Sequence, residues 1–167
     1  MTIAYAILVL VVLQRVAELW YAARNTAALK AHGGIEYGGR HYPLIVVLHA
    51  SWLAAIAWGI QRDASVRAFP LVCFVLLQGL RVWVLATLGR YWTTRVITTP
   101  GAPLVQRGPY RFLRHPNYLV VIGEMAVLPL VFGQITNAVL FSALNGAVLA
   151  WRIRVENAAL ATRRRSV

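Results

Sequence analysis

Five apolar stretches, separated by polar segments of varying length, dominate the pattern of residues along the chain. They cover residues 2–22, 43–60, 68–88, 118–132 and 135–153. A helix that crosses a bilayer needs about 20 mostly apolar residues, so we predict five transmembrane helices. The last two are separated by Gly133 and Gln134 alone, which predicts a helical hairpin. The fourth stretch is short and contains Pro129, so we expect a kinked or incomplete span there.

Composition supports this interpretation and excludes the soluble alternatives. Apolar residues make up 59% of the chain and charged residues 13%, against roughly 45–50% and about 25% in an average soluble domain. Disorder requires low hydrophobicity, so it is excluded as well. The single cysteine, Cys73, excludes a disulfide framework and a cysteine metal site. We therefore predict one all-α integral membrane domain over residues 1–167, with three N-terminal helices in residues 1–88.

The distribution of charge indicates how the helices are oriented. The net charge is +12, from 17 Lys and Arg against 5 Asp and Glu. Most of the basic residues lie in residues 23–42, 89–116 and 152–165, which share one face if the N-terminus is outside. Cytoplasmic loops collect Lys and Arg, so we predict an N-out, C-in topology. The basic loops would then contact membrane lipids, and the charge requires no nucleic acid partner.

The long polar segment between the third and fourth helices contains the residues most suited to chemistry. Glycines and prolines punctuate residues 89–117 and let the backbone approach a ligand closely. Tyr110, Arg114 and His115 lie among them and offer donors to an anionic ligand. The alternative interpretation is a membrane-surface loop whose arginines face lipid phosphates.

Two short motifs in the C-terminal half resemble a known family. The sequence RHPNY at residues 114–118, preceded by GPY at 108–110, resembles the signature of the isoprenylcysteine carboxyl methyltransferase (ICMT) family. The sequence RIRVEN at residues 152–157 resembles its second signature, and Gln14, Arg15 and Glu18 also look familial. The closer resemblance is to bacterial members associated with O-methylation of alkylpyrones and alkylresorcinols made by type III polyketide synthases.

The resemblance implies S-adenosylmethionine (SAM) as the methyl donor, bound by residues 89–160, with residues 161–167 as a basic tail. It implies that Arg152 faces the acceptor and that Glu156 holds the amino end of SAM. From the chemistry of SAM, Arg114 and His115 are donors for its carboxylate. The candidate cofactor-binding residues are Ala102, Pro103, Leu104, Val105, Tyr110, Arg114, His115, Pro116, Asn117, Tyr118 and Glu156. The four histidines lack a metal-binding spacing, so we predict no metal.

Polar residues inside the apolar stretches form a second group of candidates. Glu124, the second candidate catalytic residue beside Arg152, can bind the acceptor or accept its proton. The alternative role for Glu124 is an ion pair with Arg81 or Arg15, and we expect Arg15 to pair with Glu18 or with a neighbouring helix. For His49 we expect an interhelical hydrogen bond. Asn145 can bond across helices or touch the acceptor, and the sequence does not separate these roles.

Together these features predict an O-methyltransferase of a bacterial inner membrane, with its active site facing the cytoplasm. The acceptor is an alkylpyrone- or alkylresorcinol-type polyketide, which predicts a functional link to a type III polyketide synthase. Apart from Glu124 the sequence offers no convincing proton acceptor, which favours a hydroxyl that is already acidic, as in a 4-hydroxy-2-pyrone. The alternatives are an isoprenylcysteine-type carboxyl methyltransferase and a membrane scaffold without enzymatic activity.

Overall fold

The computed structural model describes residues 2–39, 42–60, 65–98 and 105–164, with residues 157–164 as helix backbone. Within these ranges five α-helices account for most of the chain. They are α1 (Ile3–Ala31), α2 (Tyr42–Gly59), α3 (Ala68–Leu88), α4 (Pro116–Val131) and α5 (Ile135–Arg164). Two short strands, β1 (Ile35–Tyr37) and β2 (Val96–Thr98), and two 3-10 turns, Gly89–Tyr91 and Gly108–Arg111, lie in the connections.

The helices agree closely with the apolar stretches at some boundaries and extend past them at others. Helix α3 has the predicted bounds, and the turn of Gly133 and Gln134 joins α4 to α5 as expected. Helices α1 and α5 continue well beyond their apolar stretches. The added residues are mostly alanine and polar helix formers, which continue a helix without being apolar. The apolar stretches therefore predicted where the five helices lie, but they underestimated how far α1 and α5 extend.

The number of spans is less simple than the number of helices. Among the described residues, four helices are long and apolar enough to cross a membrane, namely α1, α2, α3 and α5. Helix α4 has 16 residues and is about 24 Å long, shorter than a hydrocarbon core of about 30 Å. Half of its residues are buried, including Glu124 and Pro129, and it packs against α3 and α5. The protein is thus a multi-pass membrane protein, and the five-span count stays a prediction.

A small sheet brings two of the basic connections together. Strand β1 pairs antiparallel with β2, and Glu36 lies opposite Ile97. The sequence analysis predicted neither strand, because three residues are too few to show an alternating pattern. The α1–α2 and α3–α4 connections therefore meet at one end of the helical bundle, and α5 contacts both strands.

The opposite end of the bundle contains an apolar core. Buried side chains of α1, α2, α4 and α5 pack together there, among them Leu8, Trp52, Ile56, Leu128 and Phe141. The backbone N–H of residue 67 donates to the carbonyl of residue 131 at 2.9 Å. Among the described residues, both strands and both 3-10 turns lie at the other end.

The turn at Gly108 is pressed against helix α3. Gly108 has a φ of +57°, and a Cβ at this position would lie 2.4 Å from the Thr87 hydroxyl oxygen. Only glycine fits a position that requires both the left-handed conformation and this close approach. Gly108 thereby fixes the start of the 3-10 turn that contains Tyr110.

Candidate active site

A polar cluster lies where the start of α4 meets the C-terminal part of α5. Its members are His115, Tyr118, Arg152 and Glu156. The Tyr118 hydroxyl donates to Glu156 Oε2 and accepts a 3.0 Å hydrogen bond from Arg152 Nε. His115 Nδ1 lies 3.6 Å from Glu156 Oε1. The His115 and Tyr118 rings stack with centroids 5.3 Å apart and an angle of 19° between their planes.

Local helix geometry explains why these four side chains meet. Pro116 begins α4, where a missing N–H costs nothing, and His115 lies directly before it as the N-cap residue. Tyr118 lies in the first turn of α4, and its ring stacks on His115. Glu156 follows Arg152 by four residues within α5, so these two side chains lie on one helix face. The RHPNY and RIRVEN motifs thus contribute two side chains each to the polar cluster.

Several other predicted cofactor residues are buried or half-buried. Pro116 is buried, and Val105 and Tyr110 are half-buried. Burial, with a smaller contribution from the Glu156 charge, raises the pKa of the Tyr110 phenol, which stays neutral. The Oδ1 atom of Asn117 is buried and has no hydrogen-bond partner among the described residues.

Of the remaining predicted cofactor residues, the structure describes only Arg114. Arg114 is exposed, and among the described residues it has no ion pair. Ala102, Pro103 and Leu104 lie outside the described residues.

The side chains present fit the amino-acid end of SAM. The Glu156 carboxylate suits an ammonium group, and His115 beside it can donate to a carboxylate. The unpartnered Asn117 Oδ1 is a further acceptor in the same region. Among the described residues no three His, Cys, Asp or Glu side chains are grouped as metal ligands would be.

A cavity of about 270 Å³ opens beside the polar cluster. Its walls come from all five helices and from the residues around Trp92, and most of the lining is apolar. Tyr118 and Arg152 line one part of it, so the cavity and the polar cluster share two side chains. Trp92 is buried and stacks on Tyr21 with centroids 5.9 Å apart. An apolar molecule with a polar head fits this combination of walls.

Two carboxylates and two arginines form a buried network between α1, α3 and α4. Glu124 Oε1 accepts from Arg15 Nη2 at 2.8 Å, from Arg81 Nε at 2.8 Å and from Gln78 Nε2 at 2.7 Å. Glu18 Oε2 accepts from Arg15 Nη1 at 2.8 Å and from Arg81 Nη1 at 3.1 Å. The pairing of Arg15 with Glu18 is confirmed, and Glu124 has both of the arginine partners that the alternative role required.

Glu124 does not line the cavity, where a catalytic residue would have to meet the acceptor. Arg15, Glu18 and Arg81 line the cavity, whereas Glu124 is not among its lining residues. Four donated hydrogen bonds occupy its carboxylate. The geometry favours the structural role, and a catalytic role for Glu124 stays a prediction.

His49 lacks the expected bond across helices, and Asn145 lacks the interhelical bond that was one of its two possible roles. His49 Nδ1 bonds to the Ile45 carbonyl of its own helix at 2.8 Å, because a histidine ring turned back along its helix reaches the preceding turn. Asn145 is 4% exposed and has no hydrogen bond to any other described residue. Both side chains line the cavity.

Sequence reasoning missed Glu36, which joins the two connections. Its carboxylate accepts from Lys30 and from Arg95. The Arg95 guanidinium also lies 4.2 Å above the centre of the Tyr42 ring. Burial opposes the charged form of Glu36, but the hydrogen bonds from Lys30 and Arg95 outweigh it and lower the pKa. The signal in the sequence was that Glu36 is the one acidic residue in the basic segment of residues 23–42.

Comparison with known proteins identifies the family to which this chain is similar. The model of the isoprenylcysteine carboxyl methyltransferase (ICMT) family matches residues 70–162, which include both motifs of the polar cluster. A Bacillus subtilis (strain 168) relative, named Uncharacterized protein YpbQ, is 37% identical over 93% of this chain and 95% of its own length. An uncharacterized protein of Haemophilus influenzae is 26% identical over 86% of each chain. No solved structure matches this chain.

The family match covers more than half of the chain, so the protein belongs to the ICMT family. Members of this family are SAM-dependent methyltransferases. Together with the four long apolar helices, this membership defines a membrane methyltransferase.

Proposed function

We propose that this protein transfers a methyl group from SAM to a hydroxyl oxygen of a lipophilic acceptor, of the alkylpyrone or alkylresorcinol type. The acceptor reaches the cavity from the bilayer, and SAM comes from the cytoplasm. The orientation is N-out, C-in, in a bacterial inner membrane. A type III polyketide synthase, which makes such acceptors, is the functional partner.

One observation carries the proposal, namely that a mostly apolar cavity ends at the polar cluster. Arg152 and Tyr118 line the cavity and are hydrogen-bonded to each other, and Tyr118 in turn bonds to Glu156. An alkyl chain in the cavity would place its polar head near Arg152. Methyl transfer needs alignment and partial desolvation, and a site within a helical bundle offers both.

The residues of the cluster have distinct roles in this proposal. Glu156 binds the ammonium of SAM, and His115 and Arg114 bind its carboxylate. Arg152 holds the acceptor oxygen as negative charge develops on it, because a guanidinium stays charged at any physiological pH. SAM, when bound, supplies an electrophilic methyl group.

Binding of SAM tests the first half of the proposal. Glu156→Gln and His115→Ala each remove a partner of a charged group, so we expect affinity losses of about 10²-fold. Isothermal titration of the detergent-solubilised protein measures them, with Glu36→Gln as a control that alters a carboxylate outside the site. Near wild-type affinity in both site variants contradicts the cofactor assignment. If the wild-type protein does not bind SAM, the scaffold alternative is favoured.

Acceptor specificity tests the second half. Membranes are incubated with labelled SAM and alkylpyrones, alkylresorcinols or prenylcysteines, and we expect methylation of the first two classes. Methylation of prenylcysteine alone favours the carboxyl methyltransferase that gives the family its description. Arg152→Gln is expected to lower turnover more than SAM affinity. The matched control is Arg154→Gln, which changes an exposed arginine of the same helix.

A further inference from the structure

His49 lines the cavity, and one hydrogen bond defines the chemical state of its ring. Its Nδ1 atom lies 2.8 Å from the Ile45 carbonyl oxygen. A carbonyl oxygen only accepts, so Nδ1 donates and carries the proton of the neutral ring. The other nitrogen, Nε2, then has a free lone pair. The ring edge packs on Trp52 with centroids 6.4 Å apart at 80°, which holds the orientation.

The other titratable groups that line the cavity already have hydrogen-bond or ion-pair partners. They come from every helix that forms the walls and are Arg15, Glu18, Tyr42, Arg81, Tyr118 and Arg152. The arginines are cations without a lone pair to offer, and Glu18 already accepts from Arg15, Arg81 and Gln14. Among the described residues that line the cavity, His49 therefore has the sole neutral basic nitrogen.

The two tyrosines of the cavity wall, Tyr42 and Tyr118, are not comparable bases. The Tyr118 hydroxyl donates to Glu156 and accepts from Arg152. The Tyr42 hydroxyl accepts from Thr94 at 3.2 Å. Neutral phenols are weak bases, so neither competes with an imidazole for a proton.

Polar side chains also line the cavity on the α5 side. Asn145 is 4% exposed, and its amide can donate and accept hydrogen bonds. Arg152 lies on the same helix and contributes a guanidinium to the wall. The cavity therefore combines an apolar lining with a few polar groups, which suits a molecule with an alkyl chain and a polar head.

We propose that His49 is the proton acceptor for the acceptor hydroxyl, an inference that rests on the proposed methyltransferase function. The O–H bond breaks and its proton moves to Nε2. The oxygen lone pair forms the bond to the methyl carbon as the carbon–sulfur bond of SAM breaks, and that electron pair stays on sulfur. The His49 imidazolium later returns its proton to water. This base makes phenolic acceptors, which ionise near pH 10, accessible at neutral pH.

The test compares a phenolic acceptor with one that needs no base. His49→Asn keeps a donor toward the Ile45 carbonyl and removes the basic nitrogen. We expect kcat at pH 7 to fall about 10²-fold for an alkylresorcinol, within the usual range for general-base catalysis. For a 4-hydroxy-2-pyrone of equal chain length, already ionised, kcat should change less than about 3-fold. Ser51→Ala, at an exposed position of the same helix, is the control.

A second measurement does not depend on turnover. Quenching of tryptophan fluorescence, with two tryptophans in the cavity wall, reports alkylresorcinol binding without SAM. Wild-type affinity should decrease as the pH is lowered and His49 gains a proton, whereas the affinity of His49→Asn should not follow this titration. SAM affinity should be unchanged in the variant, which shows that the fold is intact.

Each contrary outcome has a distinct meaning. Equal losses on both acceptors, or no loss on the resorcinol, overturns the role of His49 and leaves the methyltransferase function standing. A wild-type protein that methylates only enolic or carboxylate acceptors also overturns it, because no proton then requires a base. A wild-type protein that binds no SAM overturns the proposed function itself.

Discussion

Replacing Glu124 with glutamine separates its structural role from a catalytic one. Glu124, Glu18, Arg15 and Arg81 together carry no net charge, and the substitution leaves one positive charge uncompensated. Arg81 is 4% exposed, so water cannot replace the lost partner. Removing one member of a buried ion pair costs about 3–5 kcal/mol.

The expected stability loss is large enough to measure by thermal unfolding. At about 2–4 °C per kcal/mol for a domain of this size, Glu124→Gln should lower the Tm by about 6–20 °C. SAM affinity at a temperature where the variant is folded should stay within about 3-fold of wild type. Glu36→Gln, which breaks a partly exposed ion pair, should cost about 1 kcal/mol or less and serves as the control.

A double variant checks that the loss comes from the uncompensated charge. Glu124→Leu with Arg81→Met removes one charge of each sign, and Arg15 keeps Glu18 as its partner. Apolar replacement of a buried pair is often neutral, so the double variant should be more stable than Glu124→Gln. A Tm within about 2 °C of wild type for Glu124→Gln, with a 10²-fold loss of turnover, would refute the structural role and identify a catalytic base.

The remaining predictions concern the loop, acidity and topology. Gly108→Ala should lower the Tm by several degrees, because the added Cβ meets the side chain of helix α3 and φ is positive there; Gly79→Ala, where a Cβ meets nothing within 4 Å, should not. The depressed pKa of Glu36 stabilises the fold above pH 4.5, its ordinary value, and this stabilisation is lost as the pH falls below it. Acid titration of the Tm should therefore be shallower for Glu36→Gln, and an identical titration contradicts the ion pair. In a Cys73→Ser background, a label at Gln106→Cys should react from the cytoplasmic side and one at Ser65→Cys from outside; the reverse pattern contradicts N-out, C-in.

The sequence by itself determined the class of protein and the local form of the site. Twenty apolar residues form a spanning helix wherever they occur, because unpaired backbone groups cannot lie in lipid. The spacing of Arg152 and Glu156 places both on one helix face through the helical repeat alone, and Pro116 favours a helix start directly after His115. These conclusions require only local geometry, so they did not depend on how the helices pack.

The tertiary structure decided which polar groups are partners and which remain available. Glu124 and His49 are both polar residues within apolar helices, and no local pattern distinguishes them. Packing places Glu124 between two arginines from other helices, whereas His49 bonds within its own helix and faces the cavity. The partners of Glu124 are 43 and 109 residues away in the chain. The helical repeat fixes only neighbours a turn away, so contacts at such separations follow from the packing of the whole bundle.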